Sequence, residues 1–193
     1  MSFIITEPLV RKLLSVVDVG LVAGMGTPEP GKMCVEAAIS YALGEPHSDG
    51  PSCVDPVVRA GKIALNDCAW STSSARAIGM REVAIAQLGS KGVIDQTKYV
   101  RLLAQYTMDE IVPPAEHASA YAAEFAAYAA AYAAEAEYAA ECAAYAAECA
   151  AEYAAECDAD FPLRLSAQLM VRALRECGSP GCEWLWLCEM AKP

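Results

Sequence analysis

The sequence predicts an all-α fold: a helical bundle carrying one long Ala/Tyr/Glu heptad-repeat helix. Three observations predict it. Apolar residues recur at helical spacing between clusters of glycine and proline, no segment shows the period-two alternation of a strand, and alanine-rich heptads fill residues 121–157. The chain has 193 residues, 55% of them apolar. That is one domain, or one domain with a long appendage, and enough chain to bury roughly 70% of its unfolded surface. The composition excludes disorder, collagen and a mucin-like stalk.

Taken in order, Thr6 is placed to cap a helix that runs to about Asp18 and stops at Gly20. Gly24-Met-Gly-Thr-Pro-Glu-Pro-Gly31 follows, and its prolines and glycines force a turn-rich loop. Lys32 to Leu43 has apolar residues at 35, 38, 39, 42 and 43, a helical spacing that Gly44 ends. Residues 44–53 form a loop. Asp55-Pro56 pairs an N-cap acid with proline at the first helical position, starting a helix that reaches about Leu65. Ser71 to Ser74 offers caps for a helix over 73–88, and Asp95 caps another that ends before Pro113-Pro114. Asp160 starts a helix over 161–176, ended by Gly178, and Ser179-Pro180 opens a short last one. The expected organisation is a helical domain over 1–112, the heptad helix over 113–159, and a C-terminal helical pair over 160–193 packing back on the bundle.

The heptads read Tyr121-Ala-Ala-Glu-Phe-Ala-Ala, then copies beginning at Tyr128, Tyr138 and Tyr145, and a partial copy from Tyr153 to Cys157. On a helix of about 3.5 residues per turn, the first and fifth positions fall about 50° apart and form one stripe. Tyr121, Phe125, Tyr128, Tyr132, Tyr138, Tyr145 and Tyr153 lie along it, opposite a smooth alanine surface. A continuous helix over 115–157 would extend roughly 64 Å at about 1.5 Å per residue, longer than a compact domain of this size. The expectation is an interface in a homo-oligomer, since small-residue surfaces and amphipathic tyrosines suit close packing. A ligand groove and a structural filament are the alternatives for this tract.

Net charge is −11, and it is unevenly placed. Between Arg101 and Arg164 there are twelve acids and no Lys or Arg, while the rest of the chain is near neutral. Such a chain repels nucleic-acid phosphates and anionic lipid, so neither nucleic acid nor membrane is expected as a partner. No apolar run reaches the roughly 18 residues of a membrane span, and residues 1–8 do not resemble a signal peptide, which points to a cytoplasmic protein. The nine cysteines include no Cys-x-x-Cys pair and only His47 and His117 accompany them. No metal and no cofactor are therefore expected, and most thiols should be small buried hydrophobes.

Two sets of residues carry candidate chemistry. Cys34 follows the Gly/Pro-rich loop near a helix start, where the helix dipole and nearby Lys32 favour thiolate; Glu36 or His47, the latter beside Asp49, would be its partner in a catalytic pair. Ser71-Thr-Ser73-Ser74-Ala-Arg76, with Arg81 further along, offers hydroxyls, free N–H groups and guanidinium groups to an anion. Arg59, Lys62, Lys91, Lys98 and Arg101 are further cations of the first half. The Gly24-x-Gly26 and Gly31-Lys32-Met33 segments match neither a dinucleotide fingerprint nor a phosphate-binding loop.

Gly26-Thr-Pro-Glu-Pro-Gly-Lys-Met-Cys34-Val-Glu-Ala-Ala38, Leu65-Asn-Asp67 with Trp70-Ser71, Arg76-Ala77, Gly79-Met-Arg81 and Gln87-Leu-Gly-Ser90 are similar to a group of uncharacterised bacterial and phage proteins. The alanine-tyrosine-acid repeat and Ser179-Pro-Gly-Cys-Glu-Trp-Leu185 extend that resemblance over most of the chain. It implies a phage–host conflict setting, with immunity-like proteins as an analogy, and carries no catalytic residue across. The functional expectation is a non-enzymatic, self-associating helical protein that binds or sequesters a small anionic, nucleotide-like ligand or a partner protein. Its ligand-binding residues would be Lys32, Ser71, Ser73, Arg76 and Arg81. The alternative is a small Cys-dependent enzyme using Cys34 with His47.

Overall fold

A computed structural model describes residues 3–111, Tyr145 and residues 160–190. Among them the fold is all-α, and the one pairing outside helices is a single antiparallel bridge between Gly26 and Met33. No helix among the described residues is long and apolar enough to cross a membrane. The expected heptad helix, with Tyr121, Phe125, Tyr128, Tyr132, Tyr138 and Tyr153, falls on residues outside those described; Tyr145 is helical and exposed.

Helix α1 (Glu7–Val17) buries Val10, Leu13, Leu14 and Val17, one apolar stripe at helical spacing. Thr6 precedes it, but the side chain makes no capping bond. Helix α2 spans Val35–Leu43 and ends at Gly44, whose φ of +75° favours glycine. Its start corrects the expected helix from Lys32: residues 26–33 are held in the loop by Thr27 N–H to Lys32 O (2.8 Å) and Val22 N–H to Met33 O (3.1 Å). Helix α3 (Pro56–Asp67) starts as expected, with the Asp55 carboxylate accepting the Val57 N–H at 3.0 Å.

Helix α4 (Ser73–Ala86) is capped by Thr72, whose hydroxyl accepts the Ala75 N–H at 2.9 Å. Helix α5 (Gln96–Tyr106) is capped by Asp95 and runs into a π turn over Thr107–Ile111. Helix α6 (Asp160–Glu176) is followed by a 3-10 turn (Pro180–Trp184) and a short helix α7 (Trp186–Met190).

The centre of the bundle is α4. It packs on α6 most extensively and also meets α1, α2 and the 3-10 turn. Two glycines permit this closeness. A Cβ on Gly79 would stand 2.3 Å from the Trp70 ring, and one on Gly181 would stand 2.0 Å from the Ile85 carbonyl oxygen. The 3-10 turn in fact closes the carbonyl end of α4: Ser179 Oγ–H donates to Ala86 O (2.5 Å) and Gly181 N–H to Leu88 O (3.0 Å). On the other side, Tyr106 donates to Glu176 (2.5 Å), and the Arg172 guanidinium lies 4.0 Å over the Tyr106 ring, joining α5 to α6. The remaining pair, α2 and α3, stands beside this bundle and carries the site.

Candidate functional site

A cleft of about 60 Å³ opens between α2, α3 and the loop before α2, lined by Gly24, Met25, Cys34, Glu36, Asp49, Asn66 and Asp67, among others. A water needs roughly 10–15 Å³ of such space, so the cleft holds several waters or a molecule of a few heavy atoms. Its walls are fixed by the end of α3. Asn66 Oδ1 accepts the Val35 N–H (3.3 Å), while its amide donates to Val22 O (2.9 Å) and to Asp67 Oδ1 (2.8 Å). Asp67 Oδ1 also accepts the Gly24 N–H at 2.7 Å. One Asn-Asp pair therefore ties the first residue of α2 to the loop that faces it.

Cys34 is the N-cap of α2, with Sγ accepting the Ala37 N–H at 3.3 Å. The expectation of an activated thiolate is corrected here. Cys34 is buried, and burial pushes its thiol above the ordinary value, outweighing the helix N–H groups and the Lys62 charge that favour thiolate. The thiol is held as S–H.

Behind it lies a charged pair with no access to water. The Lys62 ammonium and the Glu36 carboxylate touch, and both side chains are 0% exposed. Apart from each other, neither Glu36 carboxylate oxygen nor Lys62 Nζ has a hydrogen-bond partner. Burial pushes the Glu36 carboxyl up, with Lys62 and then Arg59 pulling it back, and burial pulls Lys62 down. Other buried polar atoms are unpaired too. Ser40 Oγ, one turn along α2 from Glu36, is buried without a partner, as are His47 Nδ1 and Arg59 Nε. Folded proteins pair nearly all such groups, so the unpaired Glu36 oxygen in the wall of the cleft is the one that singles it out.

The expected Cys34–His47 pair is not formed. His47 Nε2 lies 3.1 Å from Gly26 O, and since a carbonyl only accepts, that nitrogen carries the proton. His47 thus staples the 44–53 loop to the 24–33 loop. Lys32 does not reach the cleft either: it is 65% exposed and pairs with Glu29 at 2.8 Å.

At the start of α4, where an anion site was expected, the chain's own Asp160 carboxylate meets Ser71. Ser71 N–H and Oγ–H donate to the two Asp160 carboxylate oxygens at 2.8 and 2.5 Å. Asp160 therefore serves the start of α4 rather than capping its own helix. Ser73 is exposed, and its carbonyl accepts the Leu21 N–H at 3.2 Å. Arg76 is spent on three carbonyls, those of Asn66 (2.7 Å), Leu21 (3.2 Å) and Cys68 (3.3 Å). Arg81 forks onto Asp18 (2.6 and 3.2 Å) and donates to Cys188 O (2.6 Å). Arg76 holds backbone together, while Arg81 holds Asp18 and the Cys188 carbonyl and also borders the groove described next.

A wider groove of about 600 Å³ lies along α4, α6 and α7, with Ile78 60% exposed at its edge. It contains no buried unpaired polar atom among those described, so the cleft at Cys34 is the stronger candidate. Among the described residues no cluster of His, Cys, Asp and Glu stands ready to hold a metal ion.

The fold and the cleft define the class: an all-α bundle with a small cleft of mixed lining beside a buried Glu–Lys pair. Compared with protein-family models, curated proteins and solved structures, the chain matches none.

Proposed function

We propose that this helical protein holds a small polar molecule in the Cys34 cleft. The observation that carries the reading is the Glu36–Lys62 pair. A fully buried ion pair costs more in lost hydration than it returns, unless further hydrogen bonds complete it. Here those bonds are missing, and Glu36 lies in the wall of a cleft of about 60 Å³, its carboxylate just beneath the surface. A ligand with a donor group supplies what the Glu36 carboxylate lacks. The ligand-holding role drawn from the sequence thus moves from Ser71, Arg76 and Arg81, which serve the fold, to the α2–α3 cleft.

The test is an amide-resolved NMR titration with small polar fragments: acetamide, acetate, guanidinium and urea. The expected result is a saturable shift of the Gly24, Val35, Glu36 and Asn66 amides with at least one of them. Spectra that stay unchanged with all four would end this reading. Self-association through the tyrosine stripe is a separate proposal from the sequence; a monomer by native mass spectrometry and light scattering would end it.

A further inference from the structure

We propose that the cleft at Cys34 takes a small organic cation with several N–H donors, of the guanidinium or primary ammonium class; this names the ligand class for the binding reading above and rests on it. Every charged side chain in the lining, Glu36, Asp49 and Asp67, is acidic. Lys62, Arg59 and Arg76 act on these carboxylates by charge, from outside the lining. The sign is the reverse of the anionic ligand that the sequence suggests.

A second, independent observation is where the hydrogen bonds are spent. The donors at the cleft are already given away. Gly24 N–H goes to Asp67 (2.7 Å), Cys34 N–H to Met25 O (3.3 Å) and Val35 N–H to Asn66 Oδ1 (3.3 Å). The Asn66 amide donates to Val22 O and to Asp67 Oδ1. Acceptors remain. Glu36 Oε1 touches Lys62, while Oε2, buried in the cleft wall, has no partner. Both bonds to Asp67 fall on Oδ1, which leaves Oδ2 for another donor. Asp49 lies near enough for its charge to act on Glu36, so like charges crowd one small space.

A ligand that brings both N–H groups and positive charge relieves both conditions, and an anion relieves neither. The Glu36 carboxylate lies just beneath the wall, so Asp49, half-buried, and Asp67, exposed, are the first that such a ligand meets. Among the described residues no group of His, Cys, Asp and Glu stands ready to hold a metal ion, so these acids suit a cation whose donors sit on separate atoms. Guanidinium, one carbon with three nitrogens in a plane, carries its donors so and fits about 60 Å³.

The experiment compares guanidinium with urea, which has nearly the same planar shape and no charge. It is an amide-resolved NMR titration of the full chain, at constant ionic strength and far below denaturing concentrations. Guanidinium should bind at least about tenfold more tightly, the effect of one charge contact screened less than in water. Its saturable shifts should centre on Gly24, Val35, Glu36 and Asn66, and acetate should produce none there. Asp49→Asn keeps the side chain's size and removes its charge; in it the preference for guanidinium over urea should shrink by at least about threefold. An arm with N-acetylarginine methylamide separates two sources of the same chemistry. Binding as tight as guanidinium assigns the cleft to an arginine side chain of a peptide, and binding of guanidinium alone assigns it to a free cation.

Urea binding as tightly as guanidinium, or acetate binding more tightly than either, would overturn the cation assignment and leave a small-molecule cleft standing. A preference unchanged in Asp49→Asn would overturn it too, since the cation would then be held elsewhere on an acidic chain. No saturable shift with any probe would end the binding reading itself, and this inference with it.

Discussion

Replacing Lys62 with methionine strips the Glu36 carboxylate of its cation in a place that water does not reach, since both side chains are 0% exposed. Removing one member of a buried pair costs about 3–5 kcal/mol, because the survivor stays charged or must take up a proton. Against a total stability of about 5–15 kcal/mol, that is a large fraction. For a chain of this length about 1 kcal/mol shifts Tm by roughly 2–4 °C, so Lys62→Met should lower it by roughly 6–20 °C. Circular dichroism melts with urea titrations measure this. The Glu36→Leu/Lys62→Met double variant should recover most of the loss, since apolar side chains of similar size replace a buried pair at little cost. The pH dependence has a definite sign. Burial already raises the Glu36 carboxyl, and Lys62 is the largest influence lowering it. Without Lys62 the folded state holds a proton that the unfolded chain releases, so the single variant gains stability as pH falls towards the ordinary glutamate value. A loss under about 1 kcal/mol for Lys62→Met, or a double variant no better than the single, would refute the reasoning.

Asp160→Asn keeps one acceptor for Ser71 but loses the charge that receives both its N–H and its hydroxyl; urea unfolding should show a loss of about 1–2 kcal/mol, and no change would mean the clasp is unimportant. Gly79→Ala drives a methyl into the Trp70 ring, 2.3 Å away, and should cost about 1–3 kcal/mol with a changed tryptophan fluorescence in the folded state. Burial pushes the Cys182 and Cys188 thiols up to about 11, so the unfolded chain loses those protons first and stability should decline as pH rises through the range from 9.0 to about 11. A flat urea midpoint across that range would contradict the burial of these thiols.

Most helix boundaries were legible because their signals are local. Asp55-Pro56, Asp95 and Gly44 each act within one turn of their own backbone, and all three do what their residue types suggest. The start of α2 falls later than expected because nothing in Lys32-Met33 breaks a helix locally, while their backbone is claimed by Val22 and Thr27, partners several residues upstream. The Cys34 microenvironment was half legible. Its place at a helix start is a local fact, but its burial is a tertiary one, and burial decides the thiol. Lys62 passed as an ordinary cation. A signal did exist: Val58, Lys62 and Leu65 share one face of α3, and Glu36 sits among Val35, Ala38 and Ile39. Opposite charges on the apolar faces of two neighbouring helices mark a buried pair. The carboxylate that meets Ser71, Asp160, stands eighty-nine residues on, and sequence spacing carries no information about such a contact.

The closure of α4 by Ser179 and Gly181 has a consequence for the order in which the chain acquires structure. The most central helix emerges from the ribosome early, yet the groups that complete its carbonyl end are made about a hundred residues afterwards. No amino-terminal fragment that stops before Ser179 contains them. Native topology must therefore be attained late in synthesis, and nascent chains arrested upstream should remain protease-sensitive at Ala86 to Leu88 until that turn arrives.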